Sequence, residues 1–305
     1  MTTTVEDYRS FGHALAVPIS DEQLWEVTAG FLATGLDLGE RVVYFDDGTL
    51  DRVLERLTDD GVPIDAPMRD GRFTVVPAED TRAALNSSLA DVGAAVRGVI
   101  DDALAAGFPA VRFCGQLQAG LRRTAEGSML DWDRAVDEQV RDRPASVLCL
   151  YDRVRFPDEF IDTMRAAHAT EVVSPAIYDD GLLRITATGV GSARVAGEVD
   201  HSNRPRIRKL LEAALETALR APDAPDDIAL DLSSLRFLDV AGAVGLVHAA
   251  EEFPSAHRLV LTGVRPRVQR VLDRCGAPFA SQLVVGAHPG APAAPTPDTT
   301  PDEAP

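Results

Sequence analysis

Of the 30 basic residues in this 305-residue chain, a single one, Lys209, is a lysine. A phosphate-binding loop of the form G-x-x-x-x-G-K-[ST] needs a lysine after its glycines, so that nucleotide site is absent. A lysine Schiff base is nearly excluded on the same count. Cysteine is scarce too. Cys114, Cys149 and Cys275 lie far apart in apolar flanks (VRFCGQ, VLCLYD, LDRCGA), and no C-x-x-C or Cys/His spacing points to zinc. Free buried thiols in a reducing cytosol are the expectation, with no metal and no cofactor. No apolar run of about 18 residues exists to span a membrane, and MTTTVEDYRSFG has neither the basic nor the apolar stretch of a signal peptide. A cytoplasmic protein is therefore expected. The net charge of −18 argues against a nucleic-acid surface, because phosphate neutralisation needs clustered cations. The densest basic cluster, Arg204, Arg206, Arg208 and Lys209, is short and reads as a solvated helix face. Catalytic signatures are also missing. There is no G-x-S-x-G, and the six histidines show no H-E-x-x-H. The glycine-rich GVGSARVAG lies between two expected strands instead of opening a helix, so it is no dinucleotide fingerprint.

What is present is enough apolar material for two cores: 45% of residues are hydrophobic and 26% charged. In the first half, short apolar strands (13–18, 41–45, 72–77, 110–114, 145–151, 171–174) alternate with helices (22–36, 50–60, 89–106, 128–141, 157–168). Asp21 reads as the N-cap of the first helix. Continuous apolar strands, each followed by an amphipathic helix, predict a parallel sheet covered on both faces. Near residue 176 the pattern changes to a hairpin (182–188 and 193–199). A helix (206–219), a loop (221–226) and a further strand–helix alternation to about 286 follow. The reading is a tail over 1–10, a domain over 11–175, a connector over 176–181 and a smaller domain over 182–286. The Pro/Ala/Thr/Asp tail, 287–305, is expected to be disordered.

Ligands of open α/β sheets bind outside the carboxyl ends of the strands. Tyr44, Asp46, Gln116, Tyr151, Asp152 and Arg153 all stand at such ends. Singly, each reads as a strand-end cap or a loop-fixing ion pair; as a group they predict a pocket, with 116–128 as a lid or partner loop. In the second domain a strand runs through Leu230-Asp231-Leu232 toward Asp239, which is placed to cap a helix at its N-terminus.

Two resemblances follow from these motifs. Ala196-Gly197-Glu198-Val199-Asp200 resembles the G-E-[LIV]-D run of STAS domains, the fold of anti-sigma-factor antagonists. The stretch 230–242 resembles their L-D-L-S…F-[LI]-D-S-S-G run. That family is phosphorylated on the second serine of D-S-S-G. Here the run is Asp239-Val240-Ala241-Gly242, so the resemblance implies that the phosphosite is lost at Ala241. It also implies a partner surface containing Glu198, Asp200, Ser233, Asp239, Val240, Ala241 and Gly242.

Residues 11–175 more loosely resemble the MEDS sensory domain, through His13, Gly39-Glu40-Arg41-Val42-Val43-Tyr44 and Leu148-Cys149-Leu150-Tyr151-Asp152-Arg153. This resemblance implies a RecA-like three-layer αβα fold without a working P-loop, and a small, hydrocarbon-like ligand. His13 then joins the strand-end residues as a ligand contact. Gln116 departs from the acidic residue expected after the fourth strand's glycine. The combined expectation is a non-enzymatic regulator that binds an anti-sigma factor, a histidine-kinase-like ATPase or a related regulatory protein. No nucleic acid or membrane is expected as a partner. Two alternatives stay open: a stressosome-like scaffold that self-associates into homo-oligomers, and a RecA-like nucleotide-binding enzyme.

Overall fold

The computed structural model describes residues 1–5, 7–122, 127–220 and 227–287. The expected 221–226 loop and the tail from 288 onward lie outside the described residues. The first half contains β1 (Thr2–Thr4), β2 (Gly12–Ala16), α1 (Asp21–Asp37), β3 (Arg41–Phe45), α2 (Leu50–Asp59), α3 (Asp65–Arg69) and β4 (Phe73–Val76). It continues through α4 (Ala78–Leu85), α5 (Leu89–Ala105), β5 (Val111–Gly115), α6 (Met129–Val140), β6 (Ala145–Leu150), α7 (Asp158–Ala167) and β7 (Thr170–Val173). Its seven strands form one sheet in the order β1-β7-β2-β6-β5-β3-β4. Every pairing in it is parallel. The central strands VRFCG and ASVLCL are buried at every position, as a sheet covered on both faces requires. Phe113, Val147 and Cys149 face the layer of α5, α6 and α7, whereas Cys114, Leu148 and Leu150 face α1 and α2.

Three expectations need correction. Residues 1–10 are not a tail: Thr2–Thr4 extends the sheet beside β7, and Val5 and Tyr8 are buried against α1. Three β-branched threonines carried that signal. Helix α1 is capped by Ser20, whose hydroxyl accepts from the Gln23 amide at 3.2 Å; Asp21 is its first residue. The supposed connector contains a strand of the second domain.

That domain comprises β8 (Tyr178–Asp179), β9 (Leu183–Gly189), β10 (Ser192–Val199), α8 (Arg204–Arg220), β11 (Asp227–Asp231), β12 (Leu235–Leu238), α9 (Val240–Glu251), β13 (Arg258–Val264), α10 (Pro266–Arg274) and β14 (Leu283–Ala287). The sheet order is β14-β13-β11-β10-β9-β8, with β12 also paired to β10. The hairpin pairs are antiparallel and the rest parallel. A register shift in β10 falls at Gly197, whose φ of +97° and closeness to the Leu182 carbonyl leave no room for a Cβ. The glycine of the G-E-V-D run is thus a bulge requirement. Ile207 and Leu211 of α8, Leu246 and Val247 of α9, and Val268 and Leu272 of α10 pack with the strands into one core.

The other face of this sheet is polar. It carries Arg184, Thr186 and Arg194, and α1 and α2 of the first domain cover it. Arg184, 1% exposed, binds Glu26 at 3.2 Å, Asp179 at 2.8 Å and the Ser174 carbonyl at 2.6 Å. Arg265 binds Glu55 at 2.6 Å and Asp59 at 2.7 Å. Arg194 pairs with Asp60, and Arg236 with Glu22 while stacking 5.0 Å over Trp25. Ser234 donates to Asp59 at 2.9 Å and Ser20 to Asp179 at 2.7 Å.

Burial alone would raise Glu26 and Glu55, but the arginines bound to them hold both below the ordinary carboxylate range. At Glu22 burial outweighs Arg236, and the group is raised. The stability that Glu26 and Glu55 contribute is complete above the ordinary range. It is lost as pH falls through their folded values, and Glu22 offsets part of that loss. Small-angle scattering of the full chain should therefore report looser domain docking in acid than at neutral pH. Arg184→Ala leaves buried Asp179 without its arginine and Glu26 dependent on Arg56, and should cost about 3 kcal/mol in denaturant melts. Arg208→Ala, which removes an exposed pair with Glu212, should cost at most about 0.5 kcal/mol.

Candidate functional site

Strand periodicity places His13 on β2 and Cys149 on β6 on the same face of the first sheet, with Tyr151 just beyond β6. Asp133 of α6 and His168, directly after α7, meet them there. His13 Nε2 lies 3.1 Å from Cys149 Sγ and 3.3 Å from His168 Nε2. Tyr151 donates to Asp133 Oδ1 at 3.0 Å, and the Cys149 thiol to the same oxygen at 3.5 Å. Burial pushes His13 down to about 4 against the pull of Asp133. Burial also pushes Cys149 and Tyr151 well up, and the Asp133 carboxylate adds to both. The thiol is thereby held protonated, which is the opposite of an activated nucleophile. His13, Asp133, Cys149 and His168 bring four potential metal-ligating atoms within 4.8 Å of one another.

An apolar cavity of about 340 Å³ adjoins this cluster, between the sheet and helices α5 and α6. Val43, Phe45, Val96, Phe113, Trp132 and Cys149 contribute to its wall. That volume is at the lower end of the range for small-molecule sites. A larger groove of about 600 Å³ on the outer side of α5 and α6 is lined by Arg97, Asp131, Arg134 and Glu138, and has no comparable apolar wall.

The strand-end residues part company. Of the seven candidates, only His13 and Tyr151 enter the cluster, and none lines the cavity. Tyr44 bonds Thr49. Asp46 Oδ1 accepts from the amides of Gly48 (2.8 Å), Thr49 (2.9 Å) and Leu50 (3.0 Å), fixing the start of α2. Gln116 donates to Asp152, whose other oxygen accepts from the amides of Val154 and Arg155. A carboxylate at 116 would face a buried carboxylate, so the amide suits its neighbour. Arg153 is exposed and pairs with Asp158 at 3.3 Å. Within 116–128, Gln118–Arg122 is a 3₁₀ turn pinned by the Ala119 amide to Asp47 at 2.8 Å, and 123–126 lie outside the described residues. Asp133, Cys149 and His168 were missed because they have no local spacing. The one readable hint was the period-2 register of Cys149 and Tyr151.

In the second domain Asp239 caps α9, accepting from the Gly242 amide at 2.6 Å, and lies 3.4 Å from Arg204. A Cβ at Gly242 would crowd Leu238 and Val199 at 2.9 and 3.1 Å, so glycine lets α9 start against the sheet. Val240 is 65% exposed, Phe237 is 48% exposed, and Ala241 and Glu198 are exposed beside them. Asp200 caps the turn before α8 through the Ser202 amide at 2.8 Å. Ser233 departs from the expected surface. It is buried at the domain seam, where Arg194 donates to its hydroxyl and Arg265 to its carbonyl.

Fold and cavity define a class: a parallel αβα domain with a ligand-sized apolar cavity, docked on a smaller mixed-sheet domain. Family comparison makes it particular. Residues 12–169 match the MEDS model, described as the MEthanogen/methylotroph, DcmR Sensory domain, and residues 184–283 match the STAS domain. The first match spans more than half of the chain, which thus belongs to the MEDS family and carries a STAS domain after it. No curated protein matches the chain. Among solved structures, the flagellar accessory protein FlaH from Methanocaldococcus jannaschii is similar at 10% identity. The alignment covers 60% of this chain and 77% of that one, with a TM-score of 0.39. Among the described residues, no helix is long and apolar enough to cross a membrane.

Asp46→Ala should cost about 1 kcal/mol, the ordinary loss for a helix cap. Thermal melts check the cost. Ligand titrations should show the cavity unaffected, because Asp46 acts on α2 and not on the cavity wall.

Proposed function

We propose that the chain is a non-enzymatic, anti-sigma-factor-antagonist-like regulator. Its MEDS domain takes a small apolar ligand into the 340 Å³ cavity. Its STAS domain docks on an anti-sigma kinase or related regulatory protein around Phe237, Val240 and Ala241. The observation that carries this reading is the position of α1 and α2. They pack on the sensory sheet and at the same time cover the polar face of the STAS sheet, so the two halves share one structural layer. A ligand shifts docking only through different affinities for two arrangements of that layer. Without a hydroxyl at Ala241, phosphate cannot be added beside the Asp239 cap. Ser233 and Ser234 are buried at the seam, out of reach of a kinase.

The two tryptophans report separately on the cavity and the seam, since Trp132 lines the cavity and Trp25 lies under Arg236 at the seam. In a Trp25→Phe chain, 1-bromohexane should quench Trp132 saturably, and Val96→Phe, which fills the cavity from α5, should weaken that quenching at least tenfold. Quenching that rises linearly with probe, without saturation, would count against the cavity. A kinase domain from the same genome should hold the chain on a column with or without ATP. Val240→Arg should release it, and Ala241→Ser should make the complex sensitive to ATP. Self-association with no kinase complex would favour the scaffold reading.

A further inference from the structure

We propose that His13, Asp133, Cys149 and His168 form a tetrahedral zinc site that staples α6 and the residue after α7 to strands β2 and β6. The sequence spacing argued for no metal, but the fold brings one donor from each of four elements to a common centre. Zinc–nitrogen and zinc–oxygen bonds of about 2.0–2.1 Å and a zinc–sulfur bond of about 2.3 Å imply donor separations of about 3.3–3.7 Å in a tetrahedron. The observed separations fall close to that range. His13 Nε2 is 3.1 Å from Cys149 Sγ, 3.3 Å from His168 Nε2 and 3.5 Å from Asp133 Oδ1. Asp133 Oδ1 is also 3.5 Å from Cys149 Sγ, and the second oxygen, Oδ2, is 3.5 Å from His168 Nε2, so the carboxylate reaches all three of the other donors.

Two further observations separate a metal site from a network of hydrogen bonds. His168 Nδ1 lies 2.8 Å from the Met164 carbonyl, which can only accept, so Nδ1 carries a proton and the neutral imidazole turns its Nε2 lone pair inward. That lone pair faces the Asp133 carboxylate, acceptor against acceptor. The Asp133 side chain is 4% exposed and, among the described residues, has no arginine or lysine partner. A buried carboxylate without a cation is costly. A divalent ion supplies the missing charge and lies where the lone pairs converge. Zn²⁺ would displace the Cys149 thiol proton to bulk water. Thiolate and carboxylate then balance the ion to a neutral buried centre. Two imidazoles, a thiolate and a carboxylate are a donor set suited to zinc, and four protein donors leave no open position, as in structural sites. Because Cys149 also contributes to the wall of the apolar cavity, the centre would form its polar floor.

The test uses the full chain, stripped with a chelator and shown to be folded by circular dichroism, then titrated with Co²⁺. One equivalent should give the intense visible bands of tetrahedral cobalt and a near-ultraviolet thiolate-to-cobalt band. Zn²⁺ should abolish both and raise the melting temperature. Cys149→Ser should lose the thiolate band. If that variant does not fold, the Cys114→Ala/Cys275→Ala chain, with Cys149 as its sole thiol, should keep the band. A folded, stripped chain that takes up no cobalt overturns the proposal. So does a thiolate band that survives Cys149→Ser or vanishes in the double variant.

Discussion

A sheet face lined with arginine is stable only if something carries the matching charge to it. The STAS sheet presents Arg184 and Arg194 on the face away from its own helices, with Arg236 and Arg265 at its margin. The answer is a carboxylate row, Glu22 and Glu26 of α1, Glu55 and Asp59 of α2, and Asp60 directly after it. Arginine suits this seam better than lysine would. Arg184 reaches two carboxylates and a carbonyl at once, which a planar fork allows and a single ammonium satisfies poorly.

The same two helices are hydrophobic on their other side. Leu24, Val27, Phe31 and Leu32 of α1 belong to the core beneath the first sheet. Helix α1 is thus sandwiched, apolar toward one domain and acidic toward the other. Both domains therefore rest on one helix. The cavity lies across the sheet from α1 and α2, with strands β3, β5 and β6 between it and those helices.

Polar groups within the sensory domain divide by what they hold. Asp46, Gln116 and Asp152 fix loops and helix starts at the strand ends. His13, Asp133, Cys149, Tyr151 and His168 converge on one another. Both sets satisfy the rule that buried polar groups need partners, but only the second set brings its donor atoms to a common point. In the STAS half the corresponding economy is at α9. Asp239 caps the helix start through the Gly242 amide, and Ala241, two residues on, adds neither charge nor hydroxyl.

Much of the architecture was legible from local chemistry. Runs such as VRFCG and ASVLCL, each followed by an amphipathic helix, dictate a parallel sheet with two covered faces, because those strands are apolar on both sides. Gly197 and Gly242 were legible as motif glycines, and the structure supplies the reason: one needs a positive φ and the other needs space. The missing serine at 241 and the missing P-loop lysine were also fixed by sequence. Other features have no one-dimensional trace. Thr2–Thr4 becomes a strand because β7 offers an open edge. Ser233 is buried because Arg194 and Arg265, themselves tied to Asp60 and Asp59 of the first domain, donate to it. Asp133, Cys149 and His168 meet His13 only because strand order puts β2 beside both β6 and β7, with α6 packed across them. Local pattern determines which face of an element is apolar. Which distant charges and donor atoms share a point depends on strand order and domain docking, and those are properties of the folded chain alone.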